Sequence, residues 1–220
     1  MKLNLYDFDG TIYDGDSSFF FFRYCAKKDS RIKKMYFKII LYFLKYKTKY
    51  ITLTEFKEFV FSFVSYFNNI DDIVKEFWKI NDNKIKKFYL EKDHSNDIII
   101  SASPYFLLKP ICDKLKVKDL IASDVDSKTG HFNKVNNRGE EKVRVFKEKY
   151  PKSTINEMYS DSMHDKSLLD LAKNSYFVKK NKIYDYKTYK PNILKRFWNW
   201  GWGIYHKKEE VWNYLIVGAL

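Results

Sequence analysis

The sequence predicts an α/β protein, a doubly wound parallel sheet with a helical block inserted after its first strand. Two observations predict it. From about residue 94 to 190 short apolar runs alternate with helical patterns, the signature of parallel strands joined by helices. Between the first strand and that region, residues 16–93 read as helical throughout.

The elements follow in order. Leu3-Asn4-Leu5-Tyr6 is the first strand, and an acidic turn closes residues 1–15. In the helical block, Ile32, Met35, Ile39 and Phe43 recur at helical spacing. Thr52 and Glu55 have capping-box spacing at a helix start. Phe56, Phe59, Val60, Phe63, Val64 and Phe67 then line one helical face. Such stripes are first of all packing surfaces, though some of their residues could line a substrate pocket where two domains meet. Asp97 to Ile100 reads as a buried strand, Phe106 to Lys116 as a helix, and Leu120 to Ala122 as a strand. Glu141 to Tyr150 is the next helix, Glu157 to Tyr159 a strand end, Ser167 to Lys173 a helix and Tyr176 to Val178 the last strand. The expected organisation is a core of residues 1–15 and 94–190, a helical cap of 16–93, and a Trp-rich tail of 191–220.

Bulk properties narrow the function. Hydrophobic residues make up 45% of the 220, enough for a core. The formal net charge of +13 suits nucleic acid, anionic membranes or phosphorylated ligands, but the lysines are spread along the chain, as solvated surface residues are. Cys25 and Cys112 form no C-x-x-C pair and imply no disulfide framework, which fits a reducing compartment. His94, His131, His164 and His206 lack zinc-ligand spacing. Met1 leads almost at once into the first strand, and no run of about 20 apolar residues occurs, so neither a signal peptide nor a membrane span is expected. The expected location is the cytoplasm.

The chemistry concentrates at strand ends. In Asp7-Phe8-Asp9-Gly10-Thr11, Asp7 and Asp9 point to one side while Phe8 points to the core. Ligands of open α/β sheets gather at the carboxyl ends of strands. Two close carboxylates repel unless a proton or a cation neutralises them, and Mg²⁺ is the usual cation in oxygen-rich, phosphate-handling sites. Ser101 follows the strand 97–100 and offers a hydroxyl to a phosphate oxygen. Lys142 starts a helix after Asn137-Arg138-Gly139 and offers a point charge. Asp161 and Asp165 bring two more carboxylates to a strand end and the next helix start. Each piece alone has a plain explanation as a turn, cap or surface residue. Their conjunction, in this order at successive strand ends, points to chemistry.

The order DFDGT, IIISAS, EEK, SDSMHD resembles the haloacid dehalogenase superfamily of phosphohydrolases. The helical insert, the Asp16-Ser17 pair and the stretch Arg138 to Val143 resemble its phosphoserine-phosphatase-like branch, with a small cap on a Rossmann-like core. The resemblance implies roles. Asp7 is the nucleophile that forms an aspartyl-phosphate, and Asp9 the general acid and base. Mg²⁺ is held by the Asp7 carboxylate, the Asp9 carbonyl and Asp161, with Asp165 in support. Ser101, Ala102 and Lys142 hold the phosphoryl oxygens. The chain departs from that branch at Ala102, where a glycine is usual, at His164, where an asparagine is, and at Asp16, in place of a glutamate that reads the substrate amine. The implied substrate is a small or lipid-linked phosphate rather than a free amino-acid phosphate.

Two alternatives stay open on the residues. One is a basic, aromatic module for anionic membrane or nucleic acid on a degenerate fold, although no nucleic-acid motif occurs. The other is phosphate transfer to an alcohol by the same groups. In the tail, Trp198, Trp200, Trp202 and Trp212 mix with Lys195, Arg196, Lys207 and Lys208. That mixture fits either packing on the core or peripheral contact with the inner membrane face through 193–220. The stretch Glu210 to Gly218 resembles the entry to a GtrA-like membrane domain.

Overall fold

The computed structural model describes residues 1–189. The tail 191–220, with its expected membrane contact and GtrA-like stretch, lies outside the described residues.

The sheet has six strands: β1 (Lys2–Tyr6), β2 (Asp97–Pro104), β3 (Asp119–Ser123), β4 (Thr154–Ser160), β5 (Asn174–Lys179) and β6 (Lys182–Asp185). Their order is β3-β2-β1-β4-β5-β6. The first five run parallel, and β6 pairs antiparallel with β5. The chain moves outward from β1 through β2 to β3, then returns to the other side of β1 with β4. The switch point therefore lies at the carboxyl end of β1, between β2 and β4, where such sheets bind ligands.

Helices α1 (Ser17–Lys28), α2 (Ser30–Lys47), α3 (Leu53–Phe61), α4 (Ile70–Asn81) and α5 (Lys87–Leu90) lie between β1 and β2 in sequence. Helices α6 (Tyr105–Lys114), α7 (Glu140–Lys149) and α8 (Lys166–Leu171) connect the later strands. Strand alternation divides the core. Leu3, Leu5, Ile98 and Ile100 face α7 and α8 with Phe146, Leu168 and Leu169. Tyr6 and Ile99 face the opposite side, among Phe8, Tyr13, Phe21, Phe77 and Leu107. The insert is anchored there: Trp78 of α4 donates to the Leu107 carbonyl at 2.7 Å and meets Phe8 and Tyr13 edge-on. Among the described residues no helix is long and apolar enough to cross a membrane.

Three differences from the sequence reading have local causes. The face from Phe56 to Phe67 is not one helix: α3 ends at Phe61, Ser62–Tyr66 is a 3-10 turn, and Phe67 lies beyond it. The Ser62 hydroxyl donates to the Phe59 carbonyl and that of Ser65 to the Ser62 carbonyl, competing with the helical ladder. The capping box at Thr52 and Glu55 forms as expected. Strand β2 continues past Ile100 to Pro104 with a register shift against β3, because the Ser103 N–H bonds to Ser101 Oγ instead of following the ladder. The edge strand β6, unread in the sequence, is short and largely exposed, joined to β5 by a turn that starts with Lys180 at φ 54°.

Candidate active site

Four segments converge at the switch point. Asp7 leaves β1, Ser101 and Ser103 lie on the last part of β2, Lys142 is in the first turn of α7, and Asp161 leaves β4. Lys142 Nζ is buried and donates to Asp7 Oδ1 at 2.7 Å and to Asp165 Oδ2 at 2.9 Å. Asp165 Oδ2 also accepts from Ser160 Oγ at 2.8 Å. Thr11 joins the two halves: its hydroxyl reaches Asp7 Oδ2 at 3.4 Å and accepts from the Asp161 N–H at 2.9 Å.

The ionisation states follow from burial and charge. Burial raises the Asp7 pKa and Asp165 adds to that, while Lys142 opposes. Burial would lower Lys142, but Asp7 and Asp165 together hold it above its ordinary value. Asp161 is pushed up to about 7 by burial and by the charges of Asp7 and Asp165. The charges of Lys86 and Lys142 oppose that rise, and of the three carboxylates only Asp7 and Asp165 bond the Lys142 ammonium directly.

Asp9 has a separate environment. Its Oδ1 accepts from the Ser17 N–H at 2.6 Å and its Oδ2 from Ser103 Oγ at 2.5 Å. Its pKa rises to about 7, chiefly through burial and the Asp16 charge, against the stabilising bonds from Ser103 and Ser17. A carboxyl poised near 7 exchanges protons in both directions at neutral pH.

The donor set suits a small hard cation. Asp161 lies over Gly10: a Cβ there would stand 2.1 Å from Asp161 Oδ2, and Gly10 has φ 74°. The absence of a side chain lets the carboxylate approach the turn that carries the Asp9 carbonyl. Among the described residues no group of three or more His, Cys, Asp or Glu forms a ready cluster. Magnesium does not need one, because it is commonly bound through one or two carboxylates and keeps several waters. The excess of negative charge around Lys142 fits the same ion.

The other expected residues fall as follows. Ser101 is buried beside Asn137, whose Nδ2 donates to the Ser101 carbonyl at 2.8 Å. Ala102 offers only backbone, and its carbonyl accepts from Lys57 and Ser123. Asp16 caps α1 through the Phe19 N–H at 2.8 Å. It also lines a cleft beside the site.

Two residues escaped the sequence reading. Ser103 sits two positions after Ser101 on one strand, so both face the site; the rule that pairs Asp7 with Asp9 would have found it. Lys57 of α3 donates to the Ala102 carbonyl at 2.8 Å and to Asn136 Oδ1 at 2.9 Å. Its burial lowers its pKa to about 8, with Asp16 opposing. No local signal marks it among 41 Lys and Arg residues.

Solved structures share this fold at low identity. A Bordetella pertussis Tohama I protein of unknown function has TM-score 0.65 and 17% identity, covering 79% of this chain and 88% of its own. A phosphoserine phosphohydrolase-like protein from Francisella tularensis subsp. tularensis SCHU S4 has TM-score 0.52 and 18% identity, covering 80% and 86%. A probable phosphoserine phosphatase from Vibrio cholerae has TM-score 0.56 and 10% identity, covering 80% of this chain and 55% of its own. No curated protein matches. These likenesses concern the fold. The sequence itself matches the family model of haloacid dehalogenase-like hydrolases over residues 5–170, and the chain belongs to that family.

Proposed function

We propose that the protein is a phosphatase that hydrolyses phosphate monoesters through an aspartyl-phosphate on Asp7. The observation that carries this reading is the pairing of Asp7, held by Lys142, with a neighbouring Asp9 poised near neutrality. A phosphoserine phosphohydrolase-like protein and a probable phosphoserine phosphatase among the structural neighbours support the same class.

In the first step an Asp7 carboxylate oxygen attacks phosphorus. The bond from phosphorus to the ester oxygen breaks, and Asp9 gives its proton to the departing alkoxide. In the second step Asp9 takes a proton from water, the water oxygen attacks phosphorus, and the acyl-phosphate bond breaks. Inorganic phosphate leaves and Asp7 is restored. Lys142 and the Ser101 hydroxyl neutralise and orient the phosphoryl oxygens, which is most of what such a transfer requires. Asp165 positions Lys142. Asp7, Asp161 and the Asp9 carbonyl would hold Mg²⁺, which supplies charge neutralisation on the phosphoryl group. Helices α1–α5 act as a cap, with Lys57 presenting a cation from the cap side.

The test is Asp7→Asn, assayed against a panel of phosphate monoesters with Mg²⁺. An amide is no nucleophile, so turnover is expected to fall by about three orders of magnitude or more. Near-wild-type hydrolysis by this variant would sink the mechanism.

A further inference from the structure

A cleft of about 320 Å³ opens between α1, α2 and α3, within the range of small-molecule sites. Phe22, Tyr36, Ile40, Phe43, Phe56 and Val60 supply its wall. Its only charged or hydroxyl side chains besides the Tyr36 phenol are Asp16, Ser18 and Lys57, and these mark its link to the catalytic groups. Ser18 Oγ lies 2.9 Å from Ser103 Oγ, which bonds Asp9 Oδ2. Lys57 Nζ bonds the carbonyl of Ala102, next to Ser101. One end of the cleft is therefore two hydrogen bonds away, through Ser18 and Ser103, from the group that would protonate the leaving oxygen. The rest of the wall offers almost nothing to a polar leaving group.

A sugar, nucleoside or amino acid would lose hydration against such a wall and gain few hydrogen bonds in return. A hydrocarbon chain loses nothing and gains its transfer free energy. The polar end of the cleft, where Ser18 and Lys57 bond the β2 residues Ser103 and Ala102, also sets the occupant's polarity, with phosphate toward Asp7 and apolar body among the cap helices. We propose that the substrate is a phosphate monoester of an apolar chain alcohol, with the chain lying in this cleft. The inference rests on the phosphatase reading of the Asp7 site and names its substrate class.

The test is a series of ethyl, butyl, hexyl and octyl phosphate, below their aggregation limits, hydrolysed by the full chain with Mg²⁺. Each buried methylene is worth about 0.8 kcal/mol, about fourfold in kcat/KM, so three or four buried methylenes raise it on the order of 100-fold from ethyl to octyl. Val60→Trp, which fills the cleft, is expected to cut the octyl-to-ethyl ratio at least tenfold. Ile40→Glu serves the same purpose if the tryptophan variant fails to fold. Binding is read separately by calorimetry on Asp7→Asn, where octyl phosphate is expected to bind more tightly than both ethyl phosphate and n-octanol.

A flat series with Asp7-dependent turnover would overturn the chain-substrate inference and leave the phosphatase reading standing. Octanol binding as tightly as octyl phosphate would also overturn it, since the cleft would then be an apolar groove out of register with the phosphate site. No turnover of any ester, with octyl phosphate still bound preferentially, would sink the hydrolase reading while supporting the cleft assignment.

Discussion

Ser103 Oγ donates to Asp9 Oδ2 at 2.5 Å across 94 positions of sequence. The bond stabilises the charged carboxylate and holds its pKa down against burial. Ser103→Ala removes that restraint, so Asp9 stays protonated to higher pH. The limb of the kcat profile that requires protonated Asp9 is expected to move upward, and second-step water activation to slow about tenfold at neutral pH. A pH–rate profile superimposable on wild type would exclude Ser103 from control of Asp9.

Lys142 is the single ammonium between buried Asp7 and Asp165. Lys142→Met leaves two carboxylates facing each other without a cation. Removing one partner of a buried ion pair typically costs about 3–5 kcal/mol. The loss is expected in full near neutral pH and to shrink in acid, because Asp7, already raised by burial, then takes up a proton. Urea unfolding at two pH values measures it. A cost below about 1 kcal/mol at neutral pH would mean that the trio contributes little to folding.

How much of this was legible in the sequence depends on the range of each interaction. The Asp7-Phe8-Asp9 turn could be read because its chemistry is local: strand alternation aims both carboxylates the same way. Strands β2 to β5 were legible as apolar runs between helical patterns, though their ends shifted by a few residues. Lys57 was not, since its partners Ala102 and Asn136 lie 45 and 79 positions away. For the same reason the stripes could be read as candidate pocket walls, but not where a pocket would open. Ile39 and Phe43 read as packing stripe, and only the fold shows that they line a cleft together with residues of α1 and α3.

Burial of Asp9 beside Asp16, and of Asp161 beside Asp7 and Asp165, predicts an unusual pH dependence of stability. Asp9 and Asp161 have folded pKa values of about 7, above the unfolded value of about 3.9. The folded protein binds more protons between those limits, so their contribution to stability is present below about pH 4 and is lost as pH rises through 7. Carboxylates with lowered values, such as Asp29 and Glu55, have finished titrating below that window. Melting temperature in chelator is therefore expected to fall from about pH 5 to 7.5. Saturating Mg²⁺ should flatten that fall, because the cation binds only the folded site. A melting temperature indifferent to Mg²⁺ at pH 7.5 would remove the metal from this carboxylate group.

Gly10 links the turn to Asp161. Its positive φ costs a side-chain-bearing residue about 1–2 kcal/mol, and an added Cβ would collide with Asp161 Oδ2 at 2.1 Å. Gly10→Ala must displace the Asp161 carboxylate. The expected result is a loss of most of the Mg²⁺-induced rise in melting temperature, with a fall in kcat greater than the fall in stability accounts for. Calorimetric titration with Mg²⁺ alone separates the two. Unchanged affinity would place the ion away from Asp161.

Asp16 combines two functions that substitution can separate. Its side chain caps α1 by accepting from the Phe19 N–H, and its charge raises both Asp9 and Lys57. Asparagine caps about as well as aspartate, whereas alanine costs about 1 kcal/mol. Asp16→Asn is therefore expected to keep wild-type stability while losing the charge. Lys57, already down at about 8 through burial, then falls further and deprotonates closer to neutrality. Asp9 falls as well, so the whole activity profile shifts toward lower pH. If the Lys57 ammonium meets an anionic substrate, KM rises at alkaline pH sooner in the variant than in wild type. Asp16→Ala should show the same shift in profile together with the lower melting temperature of an uncapped helix. An Asp16→Asn enzyme with an unmoved profile would reduce Asp16 to a helix cap. A destabilised one with a moved profile would show that its carboxylate charge, and not only its oxygen, holds the start of α1.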